Sequence, residues 1–207
     1  LDIVAPALPA SNTRTTLVLL QNGLNIEKPF LTSHPTTPIL SGVSLIGSAQ
    51  PTPGKIVQDG PDTLYIGAFE HPKLGKEVGE AKAKEFVRLY GEGGKTDVQF
   101  RHDVLYDRWR KLVYNACLNP ICAVTGLDTG RIRLADGALE GLVRPAMREI
   151  VAAARGVGVK LEDDVVNFMI DVDPIDAYLE PSMLADVKRV RPPFLTVTSY
   201  SKNPVSC

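Results

Sequence analysis

Three polar residues at helical spacing carry the strongest chemical suggestion in this chain: Lys111, Asn115 and Asn119. In an α-helix of 3.6 residues per turn each step of four advances by only ~40°, so the three side chains share one narrow stripe. The stripe runs beside an apolar face formed by Leu105, Trp109, Leu112, Val113, Ala116 and Cys117. A ketone that accepts hydride develops alkoxide charge, and a lysine ammonium can protonate it as general acid. Carboxamides carry donors and acceptors together, so they can orient a hydroxyl and a carboxylate. The same spacing also fits a lysine and two amides on a solvent edge, with Asn119-Pro120 ending the helix.

Two more positions could join such a site. Gln21-Asn22-Gly23 directly follows an apolar run. An asparagine there would stand at the C-terminal edge of a sheet, where open α/β folds bind ligands. The alternative is an ordinary Asn-Gly turn. Ser182 either offers its hydroxyl to a substrate carboxylate or caps the helix that follows it.

These residues need a frame. Residues 15–20 and 39–48 are apolar runs without alternation, which suits strands covered on both faces, as in a parallel sheet. Residues 25–31 read as a helix. Residues 55–58 and 63–67 read as a hairpin around the polar turn Gln58-Asp59-Gly60-Pro61. Residues 73–90 form an amphipathic helix with Val78, Ala81, Ala83, Phe86, Val87 and Tyr90 inward. Thr96–Phe100 is one more strand, and the alternation argues for α/β. Beyond Arg101 the strand signal stops. Asp103 can cap a helix reaching about Leu118. Residues 138–157, 163–170 and 182–190 also read as helices. The expected fold class is therefore α/β then all-α: residues 1–101, then a helical domain over 102–191. A divergent tail follows over 192–207, where Pro192-Pro193 blocks any helix.

Composition excludes several classes. Of 207 residues, 44% are hydrophobic and 23% charged, which suffices for a globular core. A net charge of -1 offers no basic surface to nucleic acid or an acidic membrane. No apolar run reaches bilayer-spanning length, and no basic-then-apolar leader opens the sequence. Cys117, Cys122 and Cys207 lack framework spacing, which suggests reduced thiols and a cytoplasmic setting. Cys117, on the apolar face, reads as a small buried hydrophobe. His34, His71 and His102 stand apart from one another and from cysteine pairs, so no metal site is expected.

Taken together, the segments resemble the ketopantoate reductase (2-dehydropantoate 2-reductase) family. Leu17-Val-Leu-Leu-Gln-Asn-Gly23 is similar to the strand and loop that follow the cofactor half of its Rossmann domain. Trp109-Arg-Lys-Leu-Val-Tyr-Asn-Ala-Cys-Leu-Asn-Pro120 is similar to its central helix, the most specific segment. Pro181-Ser-Met-Leu-Ala-Asp-Val187 resembles its serine-containing loop and helix. The resemblance spans residues 1–191. It implies a partial Rossmann-type NADP-binding domain followed by a helical domain like that of 6-phosphogluconate dehydrogenase. It implies that Lys111 is the general acid and that Asn115, Asn119 and Ser182 hold the substrate's hydroxyl and carboxylate. It implies that Asn22 contacts the cofactor and that Ser48 lies against the nicotinamide side. The implied reaction is hydride transfer from NADPH to 2-dehydropantoate, giving (R)-pantoate on the route to pantothenate and coenzyme A. The implied partner is a small 2-keto acid, and the family's helical domain commonly supports homodimers.

Two departures stand out. The family's opening strand, Gly-x-Gly-x-x-Gly turn and helix, whose amides receive the pyrophosphate, has no counterpart in this sequence. Phe194 stands where the family has a glutamate that contacts substrate and cofactor. The resemblance thus implies an N-terminally truncated chain with an aberrant C-terminal tail, weak NADPH binding, and slow turnover or none. Other readings stay open: a non-catalytic remnant or helical interaction module, and a reductase of another 2-keto acid. Beta-hydroxyacid dehydrogenases also place an asparagine four residues after a lysine on a central helix.

Overall fold

A computed structural model describes Leu8 and residues 15–190. The tail over 192–207, with Phe194, and most of residues 1–14 lie outside the described residues. The chain divides into two compact units: Leu1–Leu112 with Ala154–Leu161, and Val113–Ala153 with Glu162–Cys207.

The first unit is built on a four-stranded sheet. Its strands are β1 (Leu17–Leu19), β2 (Ile39–Ser44), β5 (Asp62–Ala68) and β6 (Thr96–Phe100), adjacent in that order. β1 runs parallel to β2 and β5 parallel to β6, whereas β2 and β5 are antiparallel. The runs over 15–20 and 39–48 do meet as parallel strands, β1 and β2, and the connection between β2 and β5 makes the sheet mixed. A two-stranded ribbon, β3 (Gly47–Thr52) and β4 (Lys55–Asp59), leaves the end of β2 and returns the chain beside it. Leu45 N–H already donates to Thr63 O at 2.8 Å, so β2 and β5 pair as a hairpin with the ribbon as its excursion.

The hairpin expected between residues 55–58 and 63–67 is therefore corrected. The strand over 55–59 pairs backwards with β3, through Pro53-Gly54. Gly54 at φ +80 supplies the left-handed residue such a turn requires, and proline before it fixes the preceding φ. The run 39–48 likewise divides: β2 is buried, but all six β3 residues are exposed.

Leu40, Leu64, Ile66 and Ala83 form the buried centre, flanked by Val18, Phe86, Val87, Tyr90, Val98 and Phe100. Each fully buried Leu or Ile contributes about 1.5–3 kcal/mol, and truncating Leu40 to Ala costs about 2–5 kcal/mol. Helix α1 (Lys28–Ser33) is short, and α2 (Lys76–Gly91) lays its Ala83 face on the sheet. The expected inner positions Val78 and Ala81 are exposed. Tyr90 Oη donates to Asp62 Oδ2 at 2.7 Å and ties α2 to β5.

Helix α3 (Val104–Asn115) begins where Tyr106 N–H donates to Asp103 Oδ1 at 3.0 Å, the expected cap. Its buried side is not purely apolar. Val104, Asp107, Arg108 and Val113 are buried, while Leu105 is exposed. Arg101 holds Asp107 through two hydrogen bonds of 2.8 and 2.7 Å, a bidentate geometry that favours arginine.

The second unit is helical. α4 (Leu118–Thr125), α5 (Thr129–Leu134), α6 (Arg144–Gly156), α7 (Val165–Asp171) and α8 (Ser182–Val190) are its helices; the last three residues of α6 belong to the first unit. A π-helical turn at Leu139–Val143 leads into α6. Gly126, at φ +74, closes α4, and Asp128 caps α5 by accepting from Arg131 N–H at 2.8 Å. Val113, Leu118, Ile132, Val143, Met147, Val165 and Leu184 are its most buried large side chains.

Candidate functional site

Lys111 sits two turns into α3, one turn beyond Arg108 on the same side. Its Nζ donates to Asn22 Oδ1 at 2.9 Å and to the carbonyl of Ser44. Asn22 follows β1 and Ser44 is the last residue of β2. The ammonium thus stands at the carboxyl ends of two parallel strands, the edge where α/β sheets take ligands. Burial pulls the Lys111 amine below the usual lysine range, and the nearby Arg108 charge adds to the shift. A lowered amine pKa moves the group towards the neutral range in which a general acid works best.

The loop that presents Asn22 is held from beneath. Gly23 takes φ +107, a conformation that disfavours any Cβ. Arg108 Nη1 donates to Gln21 O at 3.0 Å and Gly23 O at 2.9 Å, and Nη2 donates to Leu19 O at 3.1 Å. Its Nε donates to Ser41 Oγ and lies 3.0 Å from Glu27 Oε1. Ser41 in turn donates to Glu27 Oε1 at 2.6 Å. Glu27, Ser41 and Arg108 are all buried. Burial pulls the Arg108 guanidinium down, and Glu27 opposes that shift.

The expected site residues thus fall into distinct places. Lys111 and Asn22 meet. Asn115 closes α3, one turn beyond Lys111. Asn119 does not share that helix: the rod breaks at Ala116-Cys117, and Asn119 lies buried in the first turn of α4. Pro120 explains the break. In an unbroken helix its ring would collide with the carbonyl of Ala116, four residues earlier, whereas in a first turn its missing N–H costs nothing. Ser182 opens α8 and is exposed; Ala185 N–H donates to Pro181 O at 3.0 Å, so the helix starts from Pro181 and not from a serine cap. α4 and α8 pack together within the second unit. Ser48 lies in exposed β3, opposite Gln58, and it is Ser44, four residues earlier, that meets Lys111.

Sequence reasoning missed Glu27, Ser41, Ser44 and Arg108. An arginine at a position where an apolar helix face should continue is the signal that points to the last of them. In the second unit, Tyr114 Oη donates to Asp173 Oδ2 at 2.5 Å, and Arg133 donates to Asp173 O at 2.9 Å and Asp171 Oδ1 at 2.7 Å. Burial pushes the Tyr114 phenol well up, with Asp173 adding to it; this group is a structural tie. Among the described residues no cluster of His, Cys, Asp or Glu could hold a metal, and no helix is long and apolar enough to cross a membrane.

The first unit has a Rossmann-like sheet that presents an ammonium and a carboxamide at its carboxyl edge, and the second is helical. A Rossmann-like part followed by a helical part is the class of fold that solved ketopantoate reductases share. Two family models match the chain: ketopantoate reductase PanE/ApbA over residues 1–71 and ketopantoate reductase PanE/ApbA C terminal over residues 103–194. The chain belongs to the ketopantoate reductase family. The second match ends three residues past the point where the sequence resemblance was expected to stop.

An uncharacterised protein of Saccharomyces cerevisiae is 35% identical over 84% of this chain and 50% of its own length. A 2-dehydropantoate 2-reductase of a Nostoc species is 25% identical over 91% of this chain and 58% of its own. Among solved structures, 2-dehydropantoate 2-reductase from Methylococcus capsulatus superposes with a TM-score of 0.74 at 27% identity, covering 92% of this chain and 58% of that one. The chain spans about half the length of the curated relatives it matches.

Proposed function

We propose that this protein reduces a 2-keto acid, 2-dehydropantoate first among them, with NADPH as the hydride source and (R)-pantoate as the product. The observation that carries the reading is the Lys111 ammonium, half-buried and 2.9 Å from the Asn22 carboxamide at the end of two parallel strands. The donor set suits the nicotinamide end of the cofactor: an exposed carboxamide for its amide, beside an acid for the substrate. Among the described residues no Gly-x-Gly-x-x-Gly turn stands ready for the pyrophosphate.

NADPH, when bound, would supply hydride to the keto carbon. Lys111 would give its proton to the carbonyl oxygen, so that the developing alkoxide becomes the product's hydroxyl and the lysine is left neutral. Asn22 Oδ1 and Ser44 O orient the ammonium before transfer. Family correspondence assigns Asn115, Asn119 and Ser182 to the substrate's hydroxyl and carboxylate, and Asn22 and Ser48 to the cofactor. The reading includes a homodimer and a cytoplasmic setting, where Cys117 and Cys122 remain free thiols.

Titrating NADPH while following nicotinamide fluorescence tests the cofactor assignment. Nicotinamide absorbance during turnover of a panel of 2-keto acids tests the substrate. The expected outcome is weak NADPH binding and slow 2-dehydropantoate reduction that disappears in Lys111→Ala. Equal turnover by Lys111→Ala would overturn the reading.

A further inference from the structure

We infer that Arg108 is a positioning residue of this site: it fastens the loop bearing Asn22 so that the carboxamide meets the Lys111 ammonium, and buried Glu27 balances its charge. The inference rests on the proposed role of Lys111.

The carbonyls of Gln21 and Gly23 flank Asn22 on either side, and Arg108 Nη1 takes both, at 3.0 and 2.9 Å. Nη2 adds the Leu19 carbonyl at 3.1 Å, two residues further back. One planar group thus fixes three alternate carbonyls, from the end of β1 to the turn at Gly23. A lysine has no such fork. The opposite edge of the guanidinium is fixed as firmly. Nε meets Ser41 Oγ and Glu27 Oε1, and Ser41 belongs to β2, whose last residue offers its carbonyl to Lys111. Arg108 therefore ties together the three elements that meet at the ammonium: loop, β2 and α3.

Stability alone does not call for this arrangement. Burying an arginine and a glutamate costs desolvation that their attraction roughly offsets, and hydrocarbons of similar volume often serve as well. What hydrocarbons cannot do is set the positions of three carbonyls. Nor does Arg108 serve as a substrate group, because its Nε, both Nη1 protons and one Nη2 proton already go to protein acceptors. Glu27 has a second effect. It offsets a cation one helical turn from Lys111 that would otherwise drive the ammonium to shed its proton.

The test is a double-mutant cycle read on the titration of Lys111 itself, by competitive acetylation of the 207-residue chain followed on the Lys111 peptide. Asn22→Ala removes an acceptor of the ammonium, so in the parent chain it lowers the Lys111 midpoint, by about tenfold in dissociation constant. Arg108→Lys keeps the charge beside Glu27 but cannot span the carbonyls. In that background Asn22→Ala is expected to shift the midpoint little or not at all. Should Arg108→Lys fail to fold, the paired change Arg108→Met with Glu27→Gln removes both buried charges and is read the same way.

Equal shifts in both backgrounds would make the two residues independent and overturn the proposal, and so would the absence of any shift in the parent. Unfolding of every Arg108 variant would assign the residue to stability alone. A fall in melting temperature accompanies either role and decides nothing. Neither substrate nor cofactor enters the measurement, so failure of the reductase assay and failure of this cycle are separate outcomes.

Discussion

Lys111 and Asn22, 89 residues apart in sequence, meet at 2.9 Å, nitrogen to carboxamide oxygen. The contact joins the middle of α3 to the loop after β1. If Lys111 is the proton donor, Lys111→Ala lowers kcat by about 10²–10⁴-fold, the range for loss of a general acid. Asn22→Ala leaves the acid in place but loosens it. Its expected effect is about tenfold, the scale of one hydrogen bond to a charged group. Steady-state rates of both variants at saturating 2-dehydropantoate check the order. An Asn22→Ala loss as large as that of Lys111→Ala would contradict it.

The pH profile follows from the same contact. Burial, then Arg108, depresses the Lys111 amine. On the proposed role of Lys111 the protonated form is the working form, so activity is expected to fall as pH rises through the depressed value, with the alkaline limb of kcat/KM below the range of an exposed lysine. The stability effect has the opposite sense. Between the folded and unfolded pKa values the unfolded chain binds more protons than the folded one, so this group's contribution to stability rises with pH across that window. Lys111→Met is expected to remove both the limb and the slope. Rate profiles and urea midpoints over the alkaline range measure them, and an unchanged limb in the variant would exclude Lys111 as its source.

Much of the frame is legible from pattern. Thr96–Phe100 is a strand and Ser182–Val190 a helix over the expected residues, because β-branched alternation and an apolar helical period leave no competing choice. The misreadings have particular causes. Residues 55–58 carry the β-branched pair Ile56-Val57 that favours a strand, but β propensity does not name a partner, and Pro53-Gly54 turns them towards β3. Pro120 reads as a stop after Asn119, yet its steric conflict falls four residues upstream, so the helix breaks before Asn119 and resumes. Arg108 interrupts the apolar face of its helix, but a helical arginine is ordinarily a surface residue, and so its role was missed. Its five-way binding depends on Glu27 and Ser41, which no local period connects to it.

The two buried cysteines make a simple chemical prediction. Burial, with Glu149 adding, pushes the Cys117 thiol up to about 11, and burial, with Asp128 and Asp173, does the same for Cys122, also to about 11. At pH 7 the thiolate fraction is on the order of 10⁻⁴, and neither sulfur is open to solvent. Iodoacetamide is therefore expected to leave both untouched in the native protein and to label both in urea. Mass spectrometry of the two peptides reads the outcome. Rapid native labelling of Cys122 would mean that α4 opens far more readily than its packing implies.

Asp128 tests the second unit in the same direct way. It caps α5 with a 2.8 Å bond from Arg131 N–H and pairs with the Arg131 guanidinium. Asp128→Ala removes both, and the cap alone is worth about 0.5–2 kcal/mol. Asp128→Asn keeps a capping oxygen and is expected to recover most of that loss. Denaturation midpoints of the two variants give the comparison, and equal losses would mean that the charge, not the cap, is what α5 needs.

Gly67 links strand packing to the site. A Cβ added there would lie 2.6 Å from the Arg101 carbonyl and 2.7 Å from Val104 Cβ. Backbone cannot rotate away as a flexible side chain can, so Gly67→Ala must push the β6–α3 corner off β5. Overpacking of this kind costs about 1–3 kcal/mol. Because α3 carries Arg108 and Lys111, the displacement is also expected to change the titration of Lys111. Gly54→Ala is the control. Nothing lies within 4 Å of a Cβ there, and its penalty is the left-handed φ of +80 alone, about 1–2 kcal/mol. The exposed β3–β4 ribbon can absorb that strain without moving α3. Both substitutions lower the denaturation midpoint, but only Gly67→Ala should move the Lys111 midpoint. A Gly67→Ala protein that is destabilised yet titrates at Lys111 like its parent would show that the placement of α3 is set elsewhere, by the ties of Asp107 and Arg108.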